Sequence, residues 1–144
     1  MQKKTDAGDP GDWLDFVNAD MAAVRLLARH RISFHVCESK LAEALEKAMK
    51  ADLISRGWRL ERVHDLQKLC DHLFQRDHET ALRLQPLADE LSGSYTESRY
   101  PGFDLDAADW KTLEKNLREV TSYVRALRKR LGGRGGASNK MCVL

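Results

Sequence analysis

Apolar residues recur at steps of three and four along most of the chain, and nowhere do they alternate with polar ones in the period-2 pattern of a half-buried strand. The clearest run is the last. Trp110, Leu113, Leu117, Val120, Val124, Leu127 and Leu131 alternate three- and four-residue steps, which is the seam of a heptad repeat and predicts a long helix. Asp106 is its expected N-cap, with Asp109 three places on. Arg125, Arg128, Lys129 and Arg130 crowd the end where free carbonyls leave partial negative charge.

Weaker periodicity predicts the other elements. A first helix is expected from Asp12 as N-cap, with Trp13, Phe16, Val17, Ala23, Val24 and Leu27 near helical spacing. In a second, Phe34, Cys37, Leu41, Leu45 and Ala48 form one stripe, Glu43, Lys47 and Lys50 point the other way, and Gly57 ends the helix. Asp52 falls inside that apolar stripe. An unpartnered carboxylate there is costly, so an arginine or a backbone donor is expected beside it. After a loop over 58–63, Leu66, Leu69, Cys70 and Leu73 mark a short third helix. A fourth is expected between Glu79 and Leu91, kinked or broken at Pro86. The fold class that follows is all-α: an up-and-down antiparallel bundle of four long helices plus one short helix. The bundle occupies residues 12–131, between polar or glycine-rich tails at 1–11 and 132–144 that are expected to be mobile.

Composition narrows the setting. With 144 residues, 42% hydrophobic and 32% charged, the chain can bury a single core. A net charge of +2 does not describe a polycation, but the charge is uneven. Lys111, Lys115, Arg118, Arg125, Arg128, Lys129, Arg130 and Arg134 face only Glu114 and Glu119, so that segment carries +6 and the remainder −4. Cys37, Cys70 and Cys142 are odd in number and widely spaced, which fits a reducing cytoplasm. No apolar run approaches the roughly 18 residues of a membrane helix. The start lacks a signal-peptide core, and the final MCVL carries its cysteine one place too late for prenylation.

Several segments, in order, resemble the HEPN domain family: Ala19-Asp20-Met21, Leu41 to Leu53 (LAEALEKAMKADL), His64-Asp65-Leu66, and Tyr95 to Pro101 (YTESRYP). The resemblance spans about residues 13 to 130. It implies a helical bundle that forms a homodimer, is often encoded beside a minimal nucleotidyltransferase, and is named for nucleotide binding. Some members are metal-independent ribonucleases, or toxins of toxin–antitoxin pairs neutralised by that partner.

The nuclease branch carries Arg, four to six residues, then His, at the start of the last long helix. Here Arg99 approaches that helix, but no histidine follows through Ala107. The same spacing occurs as Arg59 to His64 (RLERVH) in the loop before the short helix, and as Arg25 to His30 in the first helix, and chance explains both. The toxin branch also places a tyrosine two residues after the histidine, where this chain has Leu66. In the duller reading His64 joins Asp65 in satisfying free N–H groups at the start of the third helix.

Two sets of residues are candidates for nucleotide or RNA contact. Lys47, Lys50, Arg56, Arg59 and Arg62 come from one helix end and its loop, and together suggest a basic patch for phosphate. Arg99 and Tyr100 sit before Pro101-Gly102 on a constrained loop, suited to phosphate binding and base stacking. Against the second stands an Arg99 pairing with a carboxylate such as Asp52. His64, Cys70, His72 and His78 lack metal-ligand spacing, and neither a metal nor another cofactor is expected. The sequence thus reads as a HEPN-like dimeric binding module acting with a nucleotidyltransferase partner. The alternatives are a ribonuclease toxin using Arg59 and His64, and a purely structural oligomerisation module.

Overall fold

In the computed structural model, residues 5–97 and 108–132 are described, and among them the fold is five helices and no strands. The helices are α1 (Pro10–Arg29), α2 (Phe34–Ser55), the short α3 (Leu66–Phe74), α4 (His78–Glu97) and α5 (Trp110–Gly132). α2 is central and packs on α1, α3, α4 and α5, while α1 also meets α5 and α3 meets α4. Leu41, Leu45, Ala48, Met49 and Leu53 of α2 are wholly shielded from solvent.

The start of α1 corrects the expectation at Asp12. Asp9 is the N-cap, its side chain accepting from the Gly11 N–H, and Pro10 occupies the first helical position, where its missing N–H costs nothing. Asp12 is buried instead and accepts from the Asp6 N–H at 2.8 Å, while Trp13 Nε1 donates to the Ala7 carbonyl at 2.7 Å. Residues 6 and 7, expected in a mobile tail, are therefore tied to the helix. The buried row is Leu14, Val17, Met21, Val24 and Ala28, so Phe16 and Ala23 face outward.

The other ends follow from local chemistry. α2 closes as the sequence predicts: Gly57 has φ of 90°, its N–H bonds the Ile54 carbonyl, and the Trp58 N–H bonds the Leu53 carbonyl. This is the paired hydrogen-bond closure of a glycine-terminated helix, with buried Trp58 packing behind it. Asp65 caps α3 by accepting from the Gln67 and Lys68 N–H groups. α4 is not broken at Pro86 but runs through it; the ring is exposed, leaving room for the disturbed turn. α5 begins at Trp110, so its cap is Asp109, which accepts from both the N–H and the hydroxyl of Thr112; Asp106 lies outside the described residues. Of the expected α5 seam, Leu113, Val120, Val124 and Leu127 are buried and Trp110, Leu117 and Leu131 partly so, and Asn116 and Tyr123 join them from the adjoining row.

No helix of the described residues is long and apolar enough to cross a membrane. A Cβ at position 57 meets nothing within 4 Å, so Gly57→Ala tests backbone conformation alone. The expected loss is about 1–2 kcal/mol, read from urea unfolding, with α2 and its neighbours otherwise unchanged.

Candidate functional site

The residues proposed for phosphate contact are distributed among three separate partnerships. Lys47 Nζ reaches Asp20 of α1 at 2.7 Å and lies 5.8 Å from the centre of the Phe16 ring. Lys50, expected on the polar face, has a side chain only 4% exposed: it is bonded to Glu46 at 3.0 Å and stands 5.5 Å from the centre of the Trp13 ring. Arg56 Nε donates to Asp52 at 2.7 Å and its Nη2 to Asp77 at 2.9 Å. Arg59 and Arg62 are exposed in the loop and form no ion pair among the described residues. Arg99 and Tyr100 lie outside the described residues. Among the described residues the patch therefore reduces to the Arg59 and Arg62 guanidinium groups, because Asp20 takes Lys47, Glu46 of the same helix takes Lys50, and Asp52 and Asp77 take Arg56.

His64 does not cap α3, a role Asp65 fills alone. Its Nδ1 lies 3.0 Å from Glu46 Oε2, the oxygen that also accepts from Lys50, and the side chain is 71% exposed. In the tautomer that donates from Nδ1 to Glu46, the other ring nitrogen is an acceptor, the form a general base requires. Lys50 sharing the same oxygen draws charge from the carboxylate that orients this ring. Glu46 belongs to α2 and His64 to the loop before α3, so the contact also fixes the course of that loop.

A second polar cluster is buried. Asp52 of α2 is 2% exposed and is met from three directions. Arg56 donates to its Oδ1, Arg130 Nη2 of α5 donates to the same oxygen at 2.5 Å, and the Tyr123 hydroxyl donates to Oδ2 at 2.7 Å. Arg130 also reaches Ser55 Oγ at 3.0 Å, and Arg56 extends the network to Asp77, which caps α4 through the N–H and hydroxyl of Thr80. The arginine expected beside Asp52 is thus present twice, from Arg56 and Arg130.

The charges respond to these contacts. Burial opposes the Arg56 charge, but the hydrogen bond and charge of Asp52 together with Asp77 outweigh it and raise the guanidinium pKa. The Thr80 hydroxyl holds the Asp77 carboxyl below its ordinary value, assisted by the Thr80 N–H and by Arg56 and Arg130, against the effect of burial. Burial, then the Asp52 charge, pushes the Tyr123 phenol well above its usual range, so it remains a donor. Burial likewise raises the Cys37 and Cys70 thiols, which leaves both poor nucleophiles. No three His, Cys, Asp or Glu side chains among the described residues gather as a metal site.

Sequence reasoning missed Tyr123, Arg130 and Asp77 as members of this cluster. A signal was present: Asn116, Tyr123 and Arg130 are seven apart, a polar-tipped row lying beside the apolar seam of α5.

A model of the HEPN domain matches residues 11–130, and the chain belongs to the HEPN domain family. Searches of curated proteins and of solved structures gave no match.

Two measurements test the buried cluster. Asp52→Ala leaves two arginines facing each other without their shared carboxylate and is expected to cost about 3–5 kcal/mol, whereas Tyr123→Phe removes one donor and should cost about 1–3 kcal/mol, both by urea unfolding. Because the folded pKa of Asp77 is depressed, its contribution is full above the unfolded value near 3.8 and is lost as pH falls through the lower, folded one. Asp77→Asn should accordingly flatten the stability–pH curve below about pH 4, in acid titrations followed by circular dichroism.

Proposed function

We propose that this chain is a self-pairing binding module, a homodimer that engages nucleotide or RNA and works with a minimal nucleotidyltransferase partner in the cytoplasm. Its helices follow the up-and-down antiparallel course of a bundle, which leaves one face of α1 for pairing. The observation that carries the reading is the outer face of α1, opposite its buried row. Phe16 is 51% exposed and Leu26 56%, with Ala19, Ala22 and Ala23 exposed between them.

Positions 16, 19, 23 and 26 are symmetric about 21, with large residues outside and small ones inside. A second copy laid antiparallel sets Phe16 against the other Leu26, and Ala19 against the other Ala23. Small residues at the centre allow close helix approach, and a contact that repeats itself under twofold rotation is the usual form of a homodimer. Charge favours the same direction, because the exposed Asp9 and Asp15 at one end of α1 would meet the exposed Arg29 at the other. The partner enzyme is inferred from family membership. In the loop, phosphate contact falls to Arg59 and Arg62, since Lys47, Lys50 and Arg56 are already engaged.

A second reading, the metal-independent ribonuclease, draws on one specific observation, the contact of Glu46 with the exposed His64 ring. Degradation of RNA in the presence of a chelator, abolished by His64→Ala, would establish it. An unchanged rate in that variant would remove His64 from any mechanism.

For the favoured reading, light scattering should give twice the 16.4 kDa chain mass. Ala19→Glu with Ala23→Glu should return the single-chain mass with helicity intact, and Ala19→Cys with Ala23→Cys should form covalent dimers on mild oxidation. A wild-type monomer at micromolar concentration would defeat the self-pairing reading.

A further inference from the structure

The exposed face of α5 carries charge in one line. Lys111, Lys115, Arg118, Arg125 and Lys129 are all exposed, and with Ser122 they follow steps of four, three, four, three and four. At 100° per residue these six positions fall within about 40° of a common direction, and at 1.5 Å rise they span about 27 Å. The line runs along the face opposite the buried seam. None of the five cations forms an ion pair among the described residues, unlike Lys47, Lys50, Arg56 and Arg130.

Ser122 interrupts the line, and α1 fills the gap. Arg25 Nη2 donates to Thr121 Oγ1 at 3.2 Å, and Thr121 is itself anchored by donating to the Leu117 carbonyl. Thr121 stands three residues after Arg118 and four before Arg125, so a guanidinium from another helix is brought between them. The nearby acid Glu114 is answered by Arg31 at 3.6 Å, while Glu119 stands exposed beside the ridge and Asp109, whose charge is felt by Lys111, lies at its N-terminal end.

Six like charges held along one rigid edge repel one another, and an extended polyanion relieves that repulsion along its length. We propose that this ridge, formed by Lys111, Lys115, Arg118, Arg125 and Lys129 of α5 with Arg25 of α1, binds the phosphodiester backbone of a nucleic acid strand. The face has no aromatic side chain on which a base can stack and no amide side chain to read a base edge, so the contact is to phosphate and indifferent to sequence. Its only exposed apolar residue is Ala126. An amphipathic face that inserts into lipid pairs its cations with large aromatic or aliphatic residues that enter the bilayer, and this one has no apolar residue larger than alanine to do so. The inference deepens the binding-module reading by naming ligand and surface, and it uses neither the α1 stripe nor the Arg59 loop.

Fluorescence anisotropy with labelled oligouridylate and oligoadenylate tests it, with mass measured by light scattering in the same samples. Binding should weaken as salt rises, with a log–log slope of about −3.5 to −4 for five or six phosphates on a single strand. The two homopolymers should bind within about threefold of each other. Arg118→Glu with Arg125→Glu, both solvent-facing, should reduce affinity at least about tenfold and shallow the slope by more than 1, without changing helicity or mass. Undiminished binding in that variant, a slope near −1, or no binding at micromolar concentration would each overturn the proposal. So would binding to anionic phosphatidylserine vesicles in place of RNA. A dimer that fails to bind RNA sinks the ridge alone, whereas a monomer that binds RNA through it sinks only the self-pairing reading.

Discussion

The structure depends on keeping one carboxylate out of water. Asp52 lies in the apolar stripe of the central helix, and a carboxylate there is tolerable only if donors come to it. They come from α2 itself through Arg56 and from α5 through Arg130 and Tyr123, while Arg56 carries the connection on to the cap of α4. Apolar packing of α2 against its neighbours tolerates small slips along the helix axes. A carboxylate that must meet a phenol and two guanidinium groups does not, so the cluster sets the register of α5 and α4 on α2. Its role is therefore the selection of one packing arrangement, since ion pairs of this kind add little net stability compared with a well-packed apolar core.

The five helices were legible because their evidence is local. The α5 seam, the glycine end of α2 and the Asp65 position before α3 are patterns within a few residues, and each appears in the fold. What was hidden depended on residues far apart. Lys47, Lys50, Arg56 and Arg59 read as one patch along the chain, but Asp20 lies 27 positions before Lys47 and Asp77 lies 21 after Arg56, and tertiary packing brings each pair together. Asp12 looked like a cap because it precedes an apolar run. Asp9 with Pro10 is the stronger signal, as Pro fits the first turn where Asp12 does not have to serve. For the last helix, Asp109 takes the capping role because Thr112 stands three residues on to donate twice.

The same separation explains the candidate surfaces. Positions 16 and 23 were counted toward the core of the first helix because they are apolar and helically spaced. The helix turns a different row inward, led by Leu14 and Met21, and leaves the counted pair on the outside. In α5, by contrast, the segment charge was visible from composition, but its arrangement was not. Only the direction of the buried seam determines that the lysines and arginines align on the opposite edge, and only the α1–α5 contact reveals that Arg25 joins them.

The link between α1 and α2 has a consequence for how much the fold can still gain. Arg31 and Ser33 both sit in the left-handed region, with φ of 54° and 53°, although neither is a glycine. Side chains in that region are held against their preference, at about 1–2 kcal/mol each. The rest of the hairpin bears this load, with the Ile32 N–H bonded to the Leu27 carbonyl and Phe34 set edge-on against Trp110. The chain therefore carries an untapped reserve of stability at two positions of a three-residue stretch remote from its buried carboxylate, and a selection for heat tolerance would be expected to draw on that reserve first.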